Sequence, residues 1–235
     1  MTTAHSATAH TATARTGTGT GAARACDRET SITRSLLGYG VIAGPVYVGV
    51  SLTEALTRDG FDLTRHAWSL LANGDLGWIH IVNFVLAGAM TMTFAAGLRR
   101  AHGGGWAPRL LAVYGLSLLA AGAFRADPAG GFPRGVPAGE VSWHGIAHLA
   151  SGGIGFACLV AACFVLARRF ARRGRAAWAW GSRVTGALFA AGFLAVASGA
   201  GSGAGAAWAN LAFTGAVVLG WAWISAVAVH AYRNA

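Results

Sequence analysis

From residue 34 onwards the chain alternates between long apolar segments and short polar ones. A helix that crosses the hydrocarbon core of a bilayer needs about 20 mainly apolar residues. Six segments reach or approach that length: Leu36–Leu56, Leu76–Leu98, Leu110–Phe124, Ser142–Ala167, Val184–Gly199 and Ala207–Tyr232. The pattern therefore predicts an all-α membrane protein, a polytopic bundle of six transmembrane helices.

Two parts of this pattern need interpretation. The third segment is short, and we expect it to extend back over Trp106–Arg109, with the arginine reaching the interface. The last two segments share an uncharged run, Val184–Val229, which is too long for one crossing. The glycine-rich residues 199–210, GAGSGAGAAWAN, are expected to form the turn between them.

The first 33 residues differ from the rest of the chain. They are rich in Thr, Ala and Gly and contain no apolar run, so they bury too little surface to fold alone. They also lack the short apolar core of a signal peptide. We therefore expect a disordered tail over residues 1–33 and a six-helix transmembrane domain over residues 34–235.

Composition agrees with the membrane class, since 54% of residues are hydrophobic and only 11% are charged. A net charge of +10 is also compatible with nucleic-acid binding. However, all 18 basic residues are arginines, and they lie in short tracts beside the apolar segments, as membrane topology requires. Nucleic acid is therefore disfavoured, and the expected partner is the lipid bilayer.

The arginines also predict the orientation, because they accumulate on the cytoplasmic side of short loops. One side of the six-span arrangement carries Arg15, Arg24, Arg28, Arg34, Arg99, Arg100, Arg109, Arg168, Arg169, Arg172, Arg173, Arg175, Arg183 and Arg233. The other side carries Arg58, Arg65, Arg125 and Arg134, diluted by Asp59, Asp62, Asp75, Asp127 and Glu140. We therefore expect a multi-pass plasma-membrane protein with both termini, and the tail, in the cytoplasm.

The segment Ala126–Phe156 holds the most suggestive group of polar residues. His144 and His148 are four apart, so on a helix they lie on one side, one turn above the other. Asp127 lies in the preceding loop. Ionisable groups at a membrane boundary are costly to bury and therefore indicate a candidate site.

Polar residues of other helices are expected at the same level. Tyr47, Ser51 and Glu54 share one face of the first helix, and His80 and Asn83 share one face of the second. Both sets lie in the half of the bundle opposite the termini. Polar sites in helix bundles are commonly built from such facing side chains, so the pattern predicts an outward-facing polar cavity.

The chain resembles a family of bacterial membrane proteins grouped as domain of unknown function 998. The residues that carry the resemblance are WSLLANGDLGWIHIVNFVLAG (Trp68–Gly88), GLRR (Gly97–Arg100), and FRADPAGGFP followed by HGIAH. The resemblance covers nearly all of residues 36–231. It implies a compact polytopic bundle with no settled activity.

One functional hypothesis is a metal-assisted hydrolase that acts on a lipid or another amphiphile. His144, His148 and Asp127 would hold a divalent metal such as Zn, because imidazoles and a carboxylate suit that ion and leave a position for an activated water. The fourth ligand or the general base would be one of Glu54, Asp75 and His80. The catalytic candidates are thus Asp127, Glu54 and Asp75, and the metal candidates are His144, His148, Asp127 and His80.

The competing hypothesis is a non-catalytic membrane protein, either an interaction partner or a sensor. In that case the same His and Asp residues form hydrogen bonds that fasten the outer loops to the bundle. Three other hypotheses are less favoured: haem held by His80 against His144 or His148, a transporter, and an isoprenoid cyclase with Asp127 or Glu54 as its acid.

Overall fold

The computed structural model describes residues 19–137, 140–200 and 206–235, which form an all-α bundle. Its six long helices are α1 (Gly19–Thr57), α2 (Gly77–His102), α3 (Trp106–Ala123), α4 (Trp143–Arg172), α5 (Ala176–Ala195) and α6 (Ala206–Arg233). A short 3₁₀ helix, Trp68–Ala72, lies between α1 and α2, and a π-helical turn, Val196–Ala200, follows α5. All six long helices are long and apolar enough to cross a membrane, which confirms the predicted fold class and six spans.

The structure differs from the sequence-based boundaries at the starts of α1 and α5, and α5 begins at Ala176 rather than at Val184. The apolar pattern misses these first two turns or so of α5 because Arg183 interrupts it. In the structure, the guanidinium of Arg183 lies over the ring of Trp180, 5.0 Å from its centroid. A long charged side chain can extend along the helix surface in this way without ending the helix. The predicted turn between α5 and α6 includes residues 201–205, which lie outside the described residues.

Helix α1 begins at Gly19, so residues 19–33, assigned by composition to the tail, are helical. A helix that is already nucleated adds further residues at much lower cost than the first turn, which explains its extension beyond the apolar segment. Residues 1–18 of the predicted tail lie outside the described residues.

The helices form a closed ring. Each packs against its neighbours in the chain, and α6 packs against α1. A guanidinium nitrogen of Arg34 donates a 3.0 Å hydrogen bond to the backbone oxygen of Ala235, so α1 and the C-terminus meet at one end of the bundle. We call that end, with Arg34, His102 and Ala235, the terminal face. The opposite end, with Arg58 and Asp127, is the loop face.

Close helix contacts depend on glycine at two crossings. A Cβ atom added to Gly115 of α3 would lie 2.7 Å from the carbonyl oxygen of Gly88 on α2. A Cβ atom added to Gly44 of α1 would lie 2.8 Å from the carbonyl oxygen of Trp221 on α6. These glycines bring the backbones together, and Tyr47 then stacks on Trp221 with a centroid separation of 4.7 Å. The interior beside α1 is therefore tightly packed and aromatic.

Candidate functional site

A cleft of about 980 Å³ opens on the loop face. Its walls come from the end of α1, the segment before α2 and the loop between α3 and α4. The charged and imidazole side chains that line it are Arg58, Asp59, Asp75, Arg125, Asp127, Arg134 and His144. Apolar residues, among them Leu76, Val136 and Phe132, complete the lining. The cleft therefore offers both signs of charge beside apolar surface.

Arg58 is held rigidly within this lining. Its guanidinium donates to the backbone oxygens of Leu71, at 3.1 Å, and Asn73, at 2.7 Å. It also lies 3.4 Å from a carboxylate oxygen of Glu54 and over the ring of Phe132. Only 9% of the side chain is exposed. Arg58 thus joins the cleft to the protein interior.

Below Arg58, Glu54 of α1 and His80 of α2 form a buried pair. The Nδ1 atom of His80 lies 2.8 Å from Oε2 of Glu54, while Oε1 of Glu54 faces Arg58. His80 has no exposed surface, and Glu54 is also buried. A carboxylate at this distance accepts the hydrogen of Nδ1, so Nε2 is the free nitrogen of the ring. The three residues form a continuous polar connection from the cleft into the bundle.

A separate polar contact between α1 and α2 lies about one helical turn further from the cleft. Asn83 donates through Nδ2 to the backbone oxygen of Tyr47 and to Oγ of Ser51, both at 3.1 Å. The predicted meeting of the polar faces of the first two helices is therefore confirmed. Four buried atoms near Tyr47 have no hydrogen-bond partner in the part of the chain that the structure describes. They are Nε2 of His80, Oδ1 of Asn83, Nε1 of Trp68 and Nε1 of Trp221.

Asp127 supports the start of α4. Its two oxygens accept hydrogen bonds from the backbone nitrogen of Ser142, at 2.9 Å, and from the Ser142 hydroxyl, at 2.5 Å. The hydroxyl oxygen of Ser142 in turn accepts from the backbone nitrogen of Gly145 and caps the helix. The hydrogen bonds from Ser142 hold the pKa of Asp127 below its ordinary value of 3.8. This carboxylate therefore joins the α3–α4 loop to α4.

The two histidines of α4 have different surroundings. His148 is buried, and its Nδ1 lies 2.8 Å from the backbone oxygen of Phe124, to which it donates. His144 is exposed at the cleft, with its ring 3.6 Å from that of Trp143. The two residues are one helical turn apart on α4, but His148 faces the interior, whereas His144 faces the cleft.

The candidate metal ligands do not converge in the described part of the chain, where no three or more His, Cys, Asp or Glu side chains gather in a way that could hold an ion. His80 pairs with Glu54, Asp127 with Ser142, and His148 with a backbone oxygen. Asp75 is exposed at the cleft. Only Asp75, Asp127 and His144 of the proposed residues line the same space, whereas Glu54 and His80 lie beneath it.

Sequence reasoning missed three residues that fasten the loops: Arg58, His66 and Asn73. The ring of His66 accepts from the backbone nitrogen of Asp62 and donates to the backbone oxygen of Gly130, 3.0 Å away. Asn73 donates to the backbone oxygen of Ala126. Most of their partners are backbone oxygens 13 to 64 residues away, and residue spacing carries no signal for such contacts. The loop before α2 and the loop before α4 are thereby joined.

Comparison with known proteins identifies the family but no characterised relative. No curated protein and no solved structure matches the chain. The family described as Protein of unknown function (DUF998) matches residues 41–230, which include α2 to α5, the C-terminal part of α1 and most of α6. The match thus contains the cleft, the Glu54–His80 pair and the helix ring. This multi-pass membrane protein belongs to the DUF998 family.

Proposed function

We propose that the protein is a non-catalytic membrane receptor that binds the polar head of an amphiphile in the loop-face cleft. The observation that carries the proposal is the fixed position of Arg58, whose guanidinium is held by two backbone oxygens and Glu54 while it lines the cleft. A charged group held in place before binding loses little conformational entropy when a ligand arrives. In the expected orientation, the cleft faces the outside of the plasma membrane.

The charges of the cleft favour a zwitterionic head group. Three arginines and three aspartates share its lining, so neither sign dominates: Arg58, Arg125 and Arg134 against Asp59, Asp75 and Asp127. Apolar residues such as Leu76 and Val136 are partly exposed beside them and suit the adjoining hydrocarbon of an amphiphile. Asp127, His148 and His66 already form hydrogen bonds within the protein. Side chains engaged in this way are not available as catalytic groups, which favours a binding protein.

Lipid binding to the detergent-purified chain tests the receptor proposal. We expect native mass spectrometry to retain a zwitterionic lipid, phosphatidylethanolamine, and Asp75→Asn to weaken its retention. Glu140→Gln is the matched control, since Glu140 is exposed on the same face and does not line the cleft. Equal retention by the wild type and Asp75→Asn, together with no preference among head groups, would contradict the proposal.

The second candidate function is hydrolysis of a lipid or other amphiphile, and the free Nε2 of His80 favours it. A carboxylate on Nδ1 orients an imidazole so that Nε2 can act as a general base, the arrangement common in hydrolases. Nε2 would take a proton from a water that enters from the cleft, and the water oxygen would attack the scissile carbonyl carbon. The bond from that carbon to the ester oxygen would then break, and the leaving alcohol would receive the proton. Glu54 would act as the positioning residue.

Turnover measurements on a fluorogenic lipid ester separate the two functions. If the protein is a hydrolase, His80→Gln should lower the rate by about 100-fold or more, the usual contribution of a general base. Glu140→Gln, which alters an exposed side chain outside the cleft lining, serves as the control. A metal-assisted reaction would require His148 and Asp127 to leave their present hydrogen bonds, and elemental analysis of the purified protein tests that requirement directly.

A further inference from the structure

A second cavity, of about 400 Å³, lies at the terminal face between α2, α4 and α6. Its basic side chains come from three arginines and two histidines: His102, Arg169, Arg173, Arg175 and His230. Its lining contains no Asp or Glu. The cavity is distinct from the loop-face cleft and lies at the opposite end of the bundle.

The positive charge of this cavity has no partner of opposite sign in the described part of the chain. The ion pairs found there, Glu54–Arg58, Glu54–His80 and Asp59–Arg134, all lie at or below the loop face. Arg169 lies in the last turn of α4 and Arg173 directly follows the helix, and both line this cavity, so their like charges repel each other. One guanidinium nitrogen of Arg175 lies 3.3 Å from Nε2 of His230, a neutral acceptor. The arginines therefore repel one another without compensation from a carboxylate.

Membrane topology explains why arginines lie on this face, and helix C-termini favour nearby cations. Neither effect requires them to surround a cavity. Arg168 and Arg172 belong to the same arginine tract and are exposed, but they do not line the cavity. Topology alone therefore does not determine which arginines surround it. The lining instead combines the basic rim with an apolar floor that includes Leu98, Leu166 and Val227.

We propose that this cavity binds the phosphate group of an anionic ligand. Arginine guanidinium groups present parallel donors that match two phosphate oxygens, and a bound phosphate would relieve the repulsion between Arg169 and Arg173. The phosphate could belong to a lipid head group or to a soluble phosphate, and the chemistry of recognition is the same. Basic pockets between transmembrane helices commonly hold anionic lipid heads, and the apolar floor suits the start of an acyl chain.

Binding to the full chain in a nonionic detergent tests this inference. The probes are phosphatidylglycerol, the phosphate-free anion oleate, and inorganic phosphate. We expect the wild type to retain phosphatidylglycerol in native mass spectrometry, and Arg169→Gln/Arg173→Gln to lose affinity by about tenfold or more, the cost of losing a charged hydrogen bond. Arg168→Gln/Arg172→Gln removes the same charge from the same arginine tract and should bind as the wild type does.

The two sources of phosphate give different results. Retention of phosphatidylglycerol without a thermal shift from inorganic phosphate identifies a lipid ligand. A thermal shift caused by inorganic phosphate in the absence of lipid identifies a soluble ligand, provided that the shift is abolished in Arg169→Gln/Arg173→Gln. Equal losses in the two double variants, or equal binding of oleate and phosphatidylglycerol, would overturn the proposal. If the first double variant does not fold, Arg175→Gln takes its place, because Arg175 is exposed and lines the cavity.

Discussion

His80 on α2 and Glu54 on α1 meet inside the bundle, with Nδ1 of the imidazole 2.8 Å from Oε2 of the carboxylate. The other oxygen of Glu54 faces Arg58, which donates to backbone oxygens of the segment before α2. One carboxylate therefore connects two helices and a loop. All three side chains are largely removed from water. Loss of this carboxylate would therefore leave both Arg58 and His80 without their buried polar partner.

We expect Glu54→Ala to destabilise the protein strongly. The substitution leaves Arg58 without its carboxylate in a nearly buried position, and breaking a buried ion pair costs about 3–5 kcal/mol. Asp59→Ala is the control, because its pair with Arg134 is exposed and such pairs contribute little. Thermal unfolding in detergent measures both variants. Similar melting temperatures for the two would show that Glu54 has no special structural role.

The meeting of α1 and α2 was predictable from the sequence because helical spacing determines which residues share a face. Ser51 and Glu54 lie on one face of α1, and His80 and Asn83 lie on one face of α2, so two pairs of contacts follow once the helices pack together. Hydrophobic length likewise predicted six spans. These features depend on local periodicity and need no knowledge of loop paths.

The burial of His148 and the exposure of His144 could not be predicted in the same way. Residues four apart lie roughly 40° apart around a helix axis, so they can fall on either side of the boundary between interior and cleft. The rotation of α4 decides this, and it depends on packing against α3 and on the loop held by Asp127. The contact of Arg58 with Glu54 has the helical spacing of four and was open to prediction, whereas its contacts with the backbone oxygens of Leu71 and Asn73 were not.

We expect Asp127 to make the stability of the protein sensitive to acid. The hydrogen bonds from Ser142 lower the pKa of Asp127 in the folded state below the ordinary 3.8. A lowered folded pKa means that the stabilising contribution is complete above the unfolded value and is lost as pH falls through the folded one. Melting temperatures of the wild type and Asp127→Asn, measured from about pH 2 to 6, should therefore converge at the acid end. A difference that is constant across this range would exclude the ionised Asp127 as its cause.

Substitution of the two α4 histidines distinguishes fastening from metal binding. We expect His148→Ala to lower the melting temperature, because it removes a buried side chain and the donor to Phe124, and His144→Ala to leave it nearly unchanged because that ring is exposed. A strong chelator should not change either result. Near-stoichiometric metal in the wild type that is lost in both variants would instead support the metal site, because each histidine would then be needed as a ligand.

Glycine substitutions test the helix crossing between α2 and α3. A Cβ atom at position 115 would meet the carbonyl oxygen of Gly88 and the side chain of Met92, both at 2.7 Å, so Gly115→Ala should cost about 1–3 kcal/mol through overpacking. Gly153→Ala is the matched control, because no described atom lies within 4 Å of the added carbon. We expect that variant to be neutral or slightly more stable, as helix propensity favours alanine. Thermal unfolding of the two variants should differ clearly, and equal values would refute the close crossing.

Reporter fusions test the orientation, on which the outward direction of the cleft depends. The arginine distribution predicts a cytoplasmic terminal face, because positive residues are retained on that side during insertion. A reporter active only in the cytoplasm should therefore work after Arg173 or at the C-terminus, and fail near Asp62 or Gly139, of which Gly139 lies outside the described residues. A second reporter, active only outside the cytoplasm, should give the reverse pattern at each site and control for expression. Cytoplasmic activity at Asp62 and silence after Arg173 would invert the protein, so that the loop-face cleft would face the cytoplasm and the phosphate cavity the exterior.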